Sequence, residues 1–112
     1  MDHSVVLLEI GDKGSANNAL YSSYAGKYKT MDMICAGYEF LLVATGKVEA
    51  RIAYEPFGKP FDFAPGALLI QEAGGVVRNF DGQDYTVRDV NFIAAASEEL
   101  YEVLRNAPKK AT

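Results

Sequence analysis

The chain has 112 residues, which is the size of one globular domain. Its hydrophobic fraction of 49% and charged fraction of 23% are ordinary for a folded protein, and they exclude a disordered, collagenous or coiled-coil chain. The net charge is −4 and no basic residues are clustered, so we expect no binding to nucleic acid or to anionic membranes.

Strand and helix patterns alternate along the chain. The first half contains predicted strands at Val5–Ile10, Tyr28–Ile34 and Val48–Tyr54, with helices at Asp12–Gly26 and Ala36–Thr45 between them. The second half contains a predicted buried helix at Phe61–Ala73, strands at Val76–Phe80 and Asn91–Ala96, and a last helix capped by Ser97. This order predicts one α/β domain over residues 1–112, with three layers (α/β/α) and a mixed, mostly parallel sheet of about five strands.

Cysteine usage and the N-terminal residues favour a cytoplasmic location. The single cysteine, Cys35, cannot form an internal disulfide, which fits a reducing compartment. No apolar run reaches the roughly 18–20 residues that span a bilayer. The first residues lack the basic charge that opens a signal peptide. The last residues, from Pro108 onward, are expected to be frayed.

Asp62 is the first candidate for chemistry, because it lies in the first turn of an otherwise apolar predicted helix. The helix dipole and the free backbone N–H groups favour its charged form there. A carboxylate held anionic can bind a hard cation such as Mg²⁺. The same position is also typical of a helix cap, which on the residues alone is the commoner role.

The segment around Asp62 resembles the C-terminal signature of the inositol monophosphatase superfamily. It begins Phe61-Asp62-Phe63-Ala64-Pro65-Gly66 and ends Glu72-Ala73-Gly74-Gly75, with Phe61 in place of the family's usual tryptophan. Three flanking segments are similar to the family's preceding helix, following strand and turn, and last strand: Cys35–Gly46, Val76–Gly82 and Phe92–Ala95. The resemblance implies the C-terminal subdomain of a Mg²⁺-dependent, lithium-sensitive phosphatase.

The resemblance also implies roles for four residues. Asp62 matches a metal ligand that lies beside the substrate hydroxyl. Ala36 and Gly37 match the backbone that approaches the substrate at the start of the preceding helix. Glu55 matches a glutamate that contacts substrate hydroxyls in some members, although a solvated strand end explains Glu55 equally well.

The family's other metal ligands have no counterpart in this sequence. They are a glutamate and an Asp-Pro-x-Asp-Gly-Thr motif, and this chain contains no Asp-Pro pair. Its only Asp-Gly pair, Asp81-Gly82, precedes Gln83 and is typical of a turn. Phosphoryl transfer depends on metal placement and electrostatics, so we expect weak Mg²⁺ binding and no catalysis by this chain alone.

Three functions remain open at this point. The first is a stand-alone domain of this family, inactive by itself, with at most a weak metal or sugar-phosphate site. The second is half of a Mg²⁺-dependent phosphomonoesterase whose missing N-terminal, metal-binding half comes from another chain. The third is an interaction module, because a missing domain would expose an apolar face. We therefore expect the chain to form a homo-oligomer or to bind a partner that supplies the missing half.

Overall fold

A computed structural model describes residues 5–10, 15–31, 36–54 and 60–111. Within these ranges the strands and helices follow the predicted order. The strands are β1 (Val5–Ile10), β2 (Lys29–Met31), β3 (Ala50–Tyr54), β4 (Val76–Asn79) and β5 (Phe92–Ala95). The helices are α1 (Ser15–Ala25), α2 (Ala36–Ala44), α3 (Pro60–Glu72) and α4 (Glu98–Ala111).

The strands form one mixed sheet with the order β2-β1-β3-β5-β4. Strand β1 is parallel to β2 and β3, whereas β5 is antiparallel to β3 and β4. The predicted fold class is confirmed: β1, β2, β3 and β4 run in one direction, and β5 runs against them. The reason is that no helix separates β4 from β5, and a direct connection joins antiparallel neighbours.

Each face of the sheet carries its own pair of helices and its own core. The core under α1 and α4 contains Val6, Leu8, Tyr24, Ala50, Ile52, Ile93, Ala95, Leu100, Tyr101 and Leu104. The core under α2 and α3 contains Phe40, Val43, Ala53, Phe63, Ala67, Ile70, Val77, Phe92 and Ala94. Alternate residues of β3 and of β5 enter opposite cores, as the pleat of a sheet requires. The predicted three-layer arrangement therefore follows from the two cores.

Helices α2 and α3 approach each other closely at Gly66. A Cβ atom on Gly66 would lie 2.5 Å from the Cβ and Cγ atoms of Phe40. The ring of Phe40 is held in place by Phe63 and Phe92, whose ring centres lie 6.1 and 6.0 Å away. Because this aromatic cluster leaves no space beside the α3 backbone, only glycine permits the observed contact between the two helices.

Helix α4 continues past Pro108 to Ala111, where the sequence predicted a frayed end. Proline has no backbone N–H, so Pro108 cannot donate the helical hydrogen bond to the carbonyl of Leu104. The buried hydroxyl of Tyr24 donates to that carbonyl instead, at 3.0 Å. A side chain of α1 thus satisfies the acceptor that proline leaves in α4, and the two helices are joined at that point.

We predict that Gly66→Ala lowers the free energy of unfolding by about 1–3 kcal/mol, the usual cost of overpacking a core. Chemical denaturation measures this change. Leu68→Ala is the matched control, because Leu68 lies on the same helix and is 56% exposed. Equal stability of Gly66→Ala and the wild type would contradict the close contact with Phe40.

We predict that Tyr24→Phe costs about 1–3 kcal/mol, because it leaves the buried carbonyl of Leu104 without its donor. In a Pro108→Ala background the cost should be smaller, since the alanine N–H can donate to the same carbonyl. Additive effects of the two changes would contradict this compensation.

The same variant should change the alkaline pH dependence of stability. Burial raises the pKa of Tyr24 above its ordinary value of 10.0. Below that pH the hydroxyl of Tyr24 keeps its proton in both the folded and the unfolded state. The neutral side chain therefore makes its full contribution to the free energy of unfolding. As the pH rises further, the unfolded tyrosine ionises first and stability falls. Tyr24→Phe should therefore lose less stability above pH 10.0 than the wild type does.

Candidate functional site

The strand ends and helix starts that concern function lie at one edge of the sheet. Strands β1, β2 and β3 are parallel, so their carboxyl ends share this edge. Helices α1, α2 and α3 follow these strands directly in the chain and begin there. The carboxyl end of β4 reaches the same edge, because Asn79 is aligned with Phe92 and Phe92 with Ala53.

A crevice is expected at this edge between the neighbouring strands β1 and β3. After β1 the chain enters α1 on one face of the sheet, and after β3 it enters α3 on the opposite face. Chains that leave adjacent strands in opposite directions open a crevice outside the strand ends, where ligands of α/β proteins bind. Ile10 and Tyr54, which are aligned in the sheet, mark the two strand ends.

The structure brings three of the predicted site residues to this edge. Ala36 and Gly37 are the first residues of α2, and Asp62 lies in the first turn of α3. The side chain of Asp62 and the whole of Glu55 lie outside the described residues, although Glu55 directly follows Tyr54 in the chain. The roles expected for these residues remain predictions.

A buried ion pair lies beneath this edge, between the sheet and helices α2 and α3. Arg51 of β3 is completely buried, and its Nη2 atom donates a hydrogen bond to Oε1 of Glu9 in β1. The Glu9 side chain is 17% exposed. The Cζ atom of Arg51 lies 5.0 Å from the ring centre of Phe40 and 5.3 Å from that of Phe63. Within the described residues, the guanidinium thus contacts the carboxylate of Glu9 and lies over two aromatic rings.

Sequence reasoning gave Glu9 and Arg51 no role. The sequence does contain one indication of the pair: each residue is a charged residue inside an otherwise apolar strand, and the two charges are opposite. The pairing of β1 with β3 aligns Glu9 with Ala53, which is two residues from Arg51 and on the same face. Neither the pairing nor the burial could be read from one strand alone.

A cavity of about 370 Å³ adjoins the end of β3. Its lining residues are Tyr54, Asn79, Phe80, Asp81, Arg88, Asp89, Val90 and Asn91. The rings of Tyr54 and Phe80 meet edge to face, with centres 5.7 Å apart. Oδ1 of Asn79 accepts hydrogen bonds from the backbone N–H groups of Asp81 and Gln83, both at 3.0 Å, which fixes the loop after β4.

The described side chains do not by themselves fit a Mg²⁺ site. Mg²⁺ requires several oxygen ligands in near-octahedral geometry. Across residues 5–10, 15–31, 36–54 and 60–111, no three His, Cys, Asp or Glu side chains are grouped so that they could hold a metal ion. The carboxylate of Glu9, near the carboxyl end of β1, accepts a hydrogen bond from Arg51. In the same ranges, no helix is long and apolar enough to cross a membrane.

The architecture is that of an α/β/α domain whose helix starts surround a crevice at the sheet edge. Residues 9–111 match the profile of the inositol monophosphatase family, and the chain belongs to that family. The structure resembles the inositol monophosphatase of Anabaena with a TM-score of 0.83 at 19% identity, covering 97% of this chain and 44% of that one. The structure also resembles the IMPase of Thermotoga maritima, with a TM-score of 0.81 at 18% identity, covering 99% of this chain and 42% of that one.

Two curated relatives match a shorter part of the sequence. The Nus factor SuhB of Escherichia coli K12 is 34% identical over 71 residues, which is 63% of this chain and 26% of SuhB. The fructose-1,6-bisphosphatase/inositol-1-monophosphatase of Thermococcus kodakarensis is 33% identical over 76 residues, which is 63% of this chain and 30% of that protein. The chain thus spans less than half the length of the relatives that it matches.

Proposed function

We propose that this chain provides the carboxyl-terminal side of a phosphatase-type site, and that by itself it binds a phosphate ester weakly without hydrolysing it. The observation that carries this proposal is the meeting of two helix starts at the crevice edge. One start bears Ala36 and Gly37, and the other bears Asp62. The two helices pack against each other at Phe40 and Gly66, near the middle of each helix, and this contact restricts the separation of their starts.

Each part of the edge suits one part of a sugar phosphate. The free N–H groups of the two first turns favour the phosphate anion. Asp62 supplies one weak ligand for Mg²⁺, and Glu55 accepts hydrogen bonds from ligand hydroxyls. The cavity beside Tyr54 offers aromatic rings and polar side chains to the alcohol part of the ester.

The proposed lack of hydrolysis follows from what phosphoryl transfer requires. The reaction needs metal ions held in place to neutralise charge and to orient the attacking water. The described residues contain no such group of ligands. Since the chain covers only 26% to 44% of the relatives' length, the remaining ligands have to come from additional residues.

We predict that neither the wild type nor Asp62→Asn releases phosphate from a panel of phosphomonoesters in the presence of Mg²⁺. Mn²⁺ binding, measured by electron paramagnetic resonance, should be weak in the wild type and at least about tenfold weaker in Asp62→Asn. Asp84→Asn is the control, because it removes a charge from an 89% exposed side chain elsewhere. Mg²⁺-dependent turnover that Asp62→Asn abolishes would contradict the proposal of an inactive domain.

A second candidate function is association with another polypeptide, which the outer surface of α2 and α3 favours. Leu41, Leu68 and Leu69 are 43%, 56% and 42% exposed on these two helices. Exposed apolar side chains that lie close together are typical of an interface. We propose that this surface contacts a second copy of the chain or a chain that supplies the missing part of the site.

We predict concentration-dependent self-association in sedimentation velocity over the micromolar range. Leu68→Ser with Leu69→Ser should shift the equilibrium at least about tenfold toward the monomer, because about 1.4 kcal/mol of apolar contact is lost. Val87→Ser is the matched control, since Val87 is 58% exposed but lies on the loop after β4. A wild type that stays monomeric throughout this range would contradict association between copies.

A further inference from the structure

We propose that Glu9 and Arg51 are positioning residues of the candidate site, which fix the starts of α2 and α3 relative to the end of β1. This inference rests on the proposed function for its ligand, but its structural part does not need a ligand. In this scheme the two residues act on each other and on the helices rather than on a ligand, because Arg51 is completely buried and Oε1 of Glu9 accepts its hydrogen bond.

Stability alone is a poor explanation for the pair. Taking a guanidinium and a carboxylate out of water costs several kcal/mol for each ion, and their attraction often fails to offset that cost. Apolar residues of similar size are frequently as stable or more stable at such positions. A fully buried arginine in the middle of a sheet therefore suggests that the pair fixes the positions of neighbouring elements.

The contacts of Arg51 show which elements it connects. Its hydrogen bond reaches Glu9, close to the carboxyl end of β1. Its guanidinium lies 5.0 Å from the ring centre of Phe40 in α2 and 5.3 Å from that of Phe63 in α3. Phe63 is the residue after Asp62, so the contact with Phe63 acts on the turn that carries the proposed metal ligand.

The shape of arginine suits this task better than that of lysine. The planar guanidinium offers N–H groups in its plane to Glu9 and a flat surface to the aromatic rings. Such a cation–π contact is stronger when it is shielded from water. A lysine would keep the charge but would lose the rigid geometry that holds both helix starts at once.

A small displacement of these turns is sufficient to matter for binding. Site residues have to lie within about 0.5 Å of their working positions, and supporting residues set that tolerance. Removal of the pair should therefore weaken ligand binding even where the fold stays intact.

The test compares the wild type with the double variant Glu9→Leu, Arg51→Met, which removes both charges and puts unbranched or branched apolar side chains in their place. We expect an unchanged or higher melting temperature, together with amide hydrogen exchange that is about tenfold faster in the hydrogen-bonded turns that follow the starts of α2 and α3. Exchange in α1 and α4, on the other face of the sheet, should stay the same. Mn²⁺ affinity should fall at least about tenfold.

The matched control is Arg78→Met with Glu98→Leu. This pair is joined by a hydrogen bond of 2.9 Å between Nη1 and Oε1 and is partly exposed. It lies away from α2 and α3, since Arg78 stacks on Tyr101 of α4. Its removal should leave both the exchange of α2 and α3 and the Mn²⁺ affinity unchanged.

Arg51→Lys keeps the charge and provides a second variant that does not depend on the double substitution. Faster exchange of Arg51→Lys in the hydrogen-bonded turns that follow the starts of α2 and α3 supports the positioning role. Wild-type exchange in either Arg51→Lys or the double variant overturns that role. If the wild type binds no Mn²⁺, the proposed metal site fails, while the exchange measurement still decides the positioning role.

Discussion

The buried guanidinium of Arg51 is the constraint on which the α2–α3 side of this domain depends. Burial removes water from this charge, and other groups have to replace it. Glu9 provides a carboxylate, and Phe40 and Phe63 provide the faces of their rings. Phe40 in this position leaves no space for a side chain at Gly66. The small residue in α3, the aromatic cluster and the ion pair are thus successive consequences of burying one charge.

The two faces of the sheet differ in the kind of core that they carry. The core under α1 and α4 is made of aliphatic residues and tyrosines, and its one unusual feature, Pro108 in a helix, is compensated by the hydroxyl of Tyr24. The core under α2 and α3 holds a charge and the helices whose starts reach the crevice. Stability can therefore come mainly from one face, which leaves the other free to carry an ion pair that a stability requirement alone would not select.

The order of elements could be predicted from the sequence because local signals mark most boundaries. Gly46 has φ of 78° at the end of α2, and the Ser97 hydroxyl accepts a hydrogen bond from the N–H of Leu100 at 3.2 Å, as a helix cap does. The share of antiparallel pairing and the helical path beyond Pro108 depend on contacts between distant residues. The positions of Ala36, Gly37 and Asp62 at helix starts were predictable, because such positions follow from local pattern. The Glu9–Arg51 pair was not, since its partners are 42 residues apart and charged residues are ordinarily expected at the surface.

The chain spans only part of the length of its relatives, and this links the proposed ligand binding to the proposed association with another polypeptide. A crevice formed by this domain alone is open to water, which weakens every charge interaction made there. A polypeptide that covers the crevice would exclude water and add metal ligands at the same time. It would bind more tightly when a phosphate ester and a cation are present, and by reciprocity they would bind more tightly in its presence. The weak binding proposed for the isolated chain and the exposed leucines of α2 and α3 are then two aspects of one incomplete site, rather than competing explanations of the fold.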